Sequence, residues 1–340
     1  MMSQRAVGLV EQLAAEGVQS WLAVEGGPHI AVPDQLPHTL RGPAGVLLPA
    51  HAPPDPQAVR RLCERARAAS ASPLVGSPLV GSPLVGSSLV GSSPGLVSAP
   101  VDPAYADDAP SLVRAARSLR ASVDRPNLLV QIPATEAGLE AMSECLALGI
   151  SVNATLICTV EQADRVFDAL LDGMERALVA GTAPVETQVF LTCPVGLLDD
   201  VGAPDIGAPD IGVPDAGMAT PGVTMARLLY ALRERRLRNT WWRVLRAGSV
   251  APPTLLWSSL RTHHLPRLIG WNTGVALTAH ELEAAASCAE LAGDVMPGVR
   301  EGEKELLLCG AGGGAGPRTA PELLAAELTR CRDAWHAAAR

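Results

Sequence analysis

In this chain of 340 residues one side-chain type that carries covalent chemistry is nearly missing. Lys304 is the only lysine, so any chemistry that needs a side-chain amine rests on one residue. Seven cysteines (Cys63, Cys145, Cys158, Cys193, Cys288, Cys309 and Cys331) form no CxxC pair, and they read as reduced thiols that serve mostly as small core hydrophobes. His29, His38 and His51 are spaced too irregularly for a metal site, and the adjacent His263 and His264 lack partners at ligand spacing and read as loop. The glycine run GAGGGAG at 310–316 follows no strand–turn–helix context, which rules it out as a nucleotide loop. Arg233, Arg235, Arg236, Arg238 and Arg243 stand beside Trp241 and Trp242. In an acidic chain that cluster reads as a solvated helix face with a packed indole pair, not as a nucleic-acid surface. Asn153 and Thr155 alternate along one apolar run, where polar side chains either line a site or satisfy neighbouring backbone.

The elements that must position these residues are clearest between Arg125 and Ile157. Leu128 to Ile132 is a short apolar run ended by Pro133, too short for a helix. Thr135 is placed to cap a helix whose Leu139, Met142 and Leu146 share one face, and Gly149 is placed to stop it. Val152 to Ile157 supplies a second strand, so the stretch reads as a parallel strand–helix–strand unit. Elsewhere strands are expected over 18–24, 44–48, 187–192 and 268–277. Helices are expected over 7–16, 55–69, 110–123, 160–179 and 224–238, with Thr159 and Gln162 as a capping box.

Composition narrows the function classes. The net charge of −8 and pI near 5.4 leave no electrostatic footprint for nucleic acid. No apolar run reaches membrane-spanning length, and Glu11 and Gln12 interrupt the apolar residues of the N-terminal stretch, so a soluble, cytoplasmic protein without a signal peptide is expected. Aromatic residues are only 3%, so Ala, Val and Leu must build the core. Two tandem repeats, SPLVG from 72 and GAPDI from 202, carry Pro and Gly in each unit and match neither helix nor sheet. They read as low-complexity loop insertions at 72–95 and 199–221 within a single domain spanning 1–340.

RPNLLVQIPATEAGL at 125–139, followed by GISVNATLI at 149–157, resembles the central segment of the transaldolases. Weaker matches run from about residue 8 to 290, among them WLA at 21–23 and MARLLYAL at 225–232, and the resemblance of GLVSAPVDP at 95–103 and PPTLLWSS at 252–259 to the family's third- and seventh-strand motifs implies two further strands. The resemblance, together with eight candidate strands, implies an α/β fold of the (β/α)8 TIM-barrel type, class I aldolase-like, with active residues at the C-terminal ends of the strands. It also implies catalysis without cofactor or metal: a lysine forms a Schiff base with a ketose phosphate while carboxylates move protons. At the lysine's position stands Gln131; at the two carboxylate positions stand Ala23 and Pro100; the phosphate-gripping arginine aligns with Pro194; a further lysine falls near His263. By residue match Asn153, a substrate contact, and Thr155, which places water, are kept.

The resemblance with these replacements implies a transaldolase-like protein that is catalytically inactive and retains sugar-phosphate binding or a partner role, as a homo-oligomer or beside an active paralogue. The alternative is an active transaldolase that transfers a dihydroxyacetone unit between sugar phosphates in the pentose phosphate pathway, through an unrecognised nucleophile. A third reading is a decayed paralogue without selected function. No membrane or nucleic-acid partner is expected under any of them.

Overall fold

The computed structural model of the chain describes residues 2–25, 44–70, 95–182, 187–202, 220–247, 250–288, 291, 293–296 and 320–338. His29, His38, Lys304, Cys309, the 310–316 glycine run, the SPLVG array and nearly all of the GAPDI repeat lie outside these residues.

Eight strands, β1 (Val18–Ala23), β2 (Gly45–Leu47), β3 (Leu96–Pro100), β4 (Leu128–Pro133), β5 (Val152–Thr155), β6 (Val189–Pro194), β7 (Thr254–Ser258) and β8 (Thr273–Leu277), pair in parallel as a closed barrel. Their order around the barrel is their order in sequence, and β8 returns to pair with β1. Alternation along each strand separates two apolar layers. Leu128, Val130 and Ile132 of β4 face outward and join the large core between strands and helices, whereas Leu129 joins a small inner cluster with Trp21, Leu96, Phe190, Leu256 and Ala276. Two of the scarce aromatics stand at this centre. Trp21 and Phe190 meet edge to face with centroids 4.9 Å apart. Gly45 makes room for that indole, since a Cβ there would stand 2.7 Å from Trp21 ring atoms.

The helices wrap the barrel and begin where capping residues fall. Helix α1 (Gln4–Ala15) starts at Ser3 and α2 (Pro56–Ser70) follows β2. Helix α3 (Ala109–Val123) starts at Asp108, α4 (Glu136–Ala147) at Thr135, and α5 (Val160–Val179) at Thr159. Each of these caps accepts a backbone N–H of the first turn. Thr159 completes only half of the expected capping box. Gln162 reaches past it, accepting the Cys158 N–H at 2.8 Å and donating to the Ala134 carbonyl at 2.6 Å, so it ties α5 to the end of β4. Leu178, near the end of α5, is 42% exposed. Helices α6 (Val195–Gly202), α7 (Pro221–Leu237), α8 (Thr240–Ala247), α9 (Ala279–Cys288) and α10 (Ala320–Ala338) complete the described layer. Asp199 and Asp200, at the start of the stretch read as a loop insertion, belong to helix α6.

One arginine of the cluster departs from the expectation of a solvated face, while Arg235, Arg238 and Arg243 are exposed as expected. Arg233 on α7 is only 2% exposed; its Nε donates to the Pro253 carbonyl at 2.9 Å and a terminal nitrogen pairs with Glu234 at 3.1 Å. Burial pulls its guanidinium below the ordinary value, against the opposing charge of Glu234. The indole pair does not form either: Trp242 is buried and Trp241 is 47% exposed, because neighbouring positions on α8 point to different sides.

Candidate functional site

The C-terminal ends of β3, β4 and β5 bring the sequence-predicted residues together. Pro100 pairs in register with Gln131, Gln131 with Asn153, and Pro133 with Thr155. Val152 and Ala154 belong to the outer core, so Asn153 and Thr155 face the barrel interior, and Gln131 does so by the same alternation from Leu129. All three are buried.

The Gln131 amide nitrogen and the Asn153 side chain already have partners. Gln131 Nε2 donates to the carbonyls of Leu48 at 2.8 Å and Ser98 at 3.0 Å, so one amide joins the ends of β4, β3 and β2. Carbonyl oxygens only accept, which fixes the nitrogen end of the amide toward them. Asn153 Nδ2 donates to Ser98 Oγ at 3.0 Å and Asn153 Oδ1 accepts the Thr192 hydroxyl at 2.6 Å. Ser98 and Thr192 were not singled out in the sequence; their strand parity was the signal that could have found them. The chain leaves β5 through Leu156 at φ +60° and β7 through Ser259 at φ +55°. Left-handed backbone at non-glycine residues costs on the order of 1–3 kcal/mol each and is held there by the surrounding packing.

Ionisable chemistry is nearly absent from the barrel wall. Across the eight strands the only titratable side chain is Cys193. It faces the outer core, and full burial pushes its thiol well above the ordinary range. Cys158, just past β5, is pushed up to about 12 by burial and by the carboxylate of Glu327. Neither offers a thiolate at neutral pH. Ala23 ends β1, Pro100 ends β3 and Pro194 ends β6, so no carboxylate or guanidinium stands at those strand ends.

Charged groups reach this end of the barrel from outside the strands. His51 follows β2, and burial first, then Arg330, lowers its pKa against the opposing pull of Glu327. Glu327 and Arg330 pair on α10, whose Arg332 donates to the Pro103 carbonyl at 3.0 Å and pairs with Asp107 at 2.6 Å. The C-terminal helix is thereby fastened to the segment that leaves β3.

His263 and His264 correct a second expectation. They lie in a 3₁₀ helix, Thr262–Arg267, after β7, and His264 is completely buried. Its partner is Asp199 on α6, 2.8 Å from Nε2. Sequence spacing hid the pair because 65 residues separate its members. His264 Nδ1 accepts the Arg261 N–H at 3.0 Å. A backbone amide only donates, so the imidazole proton sits on Nε2 and points at the carboxylate. Asp199 Oδ1 also accepts the Gly222 N–H at 2.6 Å. Burial pushes the Asp199 carboxyl up, but hydrogen bonds from His264, Gly222 and Thr220 outweigh it and hold the carboxyl below its ordinary value. Donor atoms of Asp199, His263 and His264 lie within 4.8 Å of one another, a spacing that suits a metal ion. The hydrogen bonding does not suit one: both ring nitrogens of His264 are committed, whereas a ligating histidine keeps one lone pair free and donates from its other nitrogen. The dyad is a tie between β6–α6, α7 and the segment after β7.

The family model for transaldolase/fructose-6-phosphate aldolase matches residues 63–276. The chain belongs to this family. Among curated transaldolases, that of Acidothermus cellulolyticus is 37% identical over 171 residues, 49% of this chain and 45% of the relative. That of Mycolicibacterium smegmatis is 36% identical over 219 residues, covering 62% of this chain and 59% of the relative. The Parafrankia sp. transaldolase is 33% identical over 210 residues, covering 59% and 57%. The chain thus spans about half to three-fifths of the length of these relatives. The matched span holds β3 to β7 whole and β8 nearly so, and with them every member of the Gln131 network except Leu48. No helix among the described residues is long and apolar enough to cross a membrane.

Proposed function

We propose that this transaldolase-family chain is a pseudoenzyme that forms no Schiff base and keeps its barrel mouth for non-covalent binding of a sugar phosphate or for association with an active paralogue in the cytoplasm. The observation that carries this reading is Gln131. An amide nitrogen is delocalised into its carbonyl and cannot attack a ketone, and here it donates to two backbone carbonyls instead. The lack of any carboxylate in the eight strands adds to it, since each positioned acid or base contributes on the order of 10²–10⁴ in rate. No cofactor enters the proposal.

The test is incubation of the full chain with fructose 6-phosphate and borohydride, followed by intact mass measurement. No added sugar fragment is expected, and an assay with fructose 6-phosphate and erythrose 4-phosphate is expected to show no transfer. A second reading, an active transaldolase, draws on the names of the curated relatives at 31–37% identity. In that case the trapped adduct maps to Lys304, the one lysine in the chain.

A further inference from the structure

The outer helical layer carries a basic groove that the barrel mouth does not explain. It is open, about 560 Å³, and lined by Asp164, Arg235, Arg236, Arg238 and Asn239. Arg236 is locked at its wall: Nε lies 2.6 Å from Asp164 Oδ1, one terminal nitrogen 2.8 Å from Asp168 Oδ1, and the other 3.1 Å from the Asp164 carbonyl. That pairing neutralises the one carboxylate in the lining, which would otherwise repel an anion. The guanidinium groups of Arg235 and Arg238 are exposed and have no hydrogen-bond or ion-pair partner among the described residues, and neither has the Asn239 side-chain amide. The chain as a whole is acidic, so this is a local feature and not a share of a general positive field.

We propose that this groove binds a small ligand bearing oxyanions, a phosphate or a polycarboxylate, through the Arg235 and Arg238 guanidinium groups and the Asn239 amide. Two planar forks free to rotate onto one ligand suit the paired oxygens of such groups, while Arg236 holds the wall rigid behind them. The site is separate from the barrel mouth, and its test does not depend on what the mouth binds. Isothermal titration of the full chain with pyrophosphate and with citrate, at low ionic strength, supplies it. Saturable binding of at least one is expected, weakening as salt is added, and the preferred probe tells phosphate from carboxylate. Arg235→Gln/Arg238→Gln should weaken it by about tenfold or more. Arg235→Lys/Arg238→Lys, which keeps the charge but not the fork, should fall between, and Arg117→Gln on the exposed side of α3 should change nothing. If neither probe binds saturably, or if the double glutamine variant, folded by circular dichroism, binds as the parent does, the proposal is overturned.

Discussion

Replacing Gln131 by lysine supplies an amine but takes away the amide that two carbonyls now share. Gln131→Lys is therefore expected to recover little transaldolase turnover, because Ala23 and Pro100 still leave the strand ends without a proton-transfer pair. Substantial turnover in that variant would show that acid and base are supplied from outside the strands. Gln131→Leu should lower stability by about 1–3 kcal/mol, through the loss of donors to buried carbonyls, measured as a shift of the urea midpoint. The Asp199–His264 dyad makes a different prediction. The folded state holds the Asp199 carboxyl below its ordinary value, so the stability it contributes is present above the unfolded carboxyl's pKa, about 4, and is lost as pH falls through the folded value. Asp199→Asn should be less stable than the parent at neutral pH, and the gap should narrow as the urea midpoint is followed down to about pH 3. A gap that stays constant with pH would mean that the carboxylate's charge does not matter to the tie.

At the scale of elements, the strand–helix–strand unit from β4 to β5 was legible because each local signal agreed: a short apolar run, a threonine cap, one apolar helix face and a stopping glycine. Thr135 does accept the Gly138 N–H, and Gly149 does sit at φ +73° just past α4. What stayed hidden were contacts between elements distant in sequence. Asp199 meets His264, Gln131 reaches Leu48, and Arg233 turns inward to a carbonyl at the start of β7; no spacing along the chain encodes any of these. The inner cluster was equally invisible, because a lone tryptophan in a strand does not announce that it fills a barrel. Trp21→Ala should cost about 3–5 kcal/mol, since neighbours locked in a closed barrel cannot collapse into the space. Gly45→Ala tests the same contact from the other side, and should cost about 1–3 kcal/mol by pushing the indole off its place. Thermal melts of both variants measure this, and an unperturbed Gly45→Ala would mean that the indole has room to shift.

Across the whole molecule, closure means that there is no first or last strand, yet the ring is not equally strong all round. Strand β2 is only three residues long and holds each neighbour through three paired positions, whereas every other strand has at least four on one side. The seam that joins the two ends of the chain, between β8 and β1, has five. When the barrel opens, it should therefore open beside β2 and not where the chain begins and ends. Gln131 spans that weak place, since its amide crosses β3 to hold the Leu48 carbonyl at the end of β2. The side chain on which the pseudoenzyme proposal rests thus becomes a rivet in the wall. Amide hydrogen exchange would display this directly, with the Leu48 N–H, which donates to the Ser98 carbonyl, exchanging faster than the amides of β4 and β6. In Gln131→Leu that amide should speed up further while β6 and β7 keep their protection.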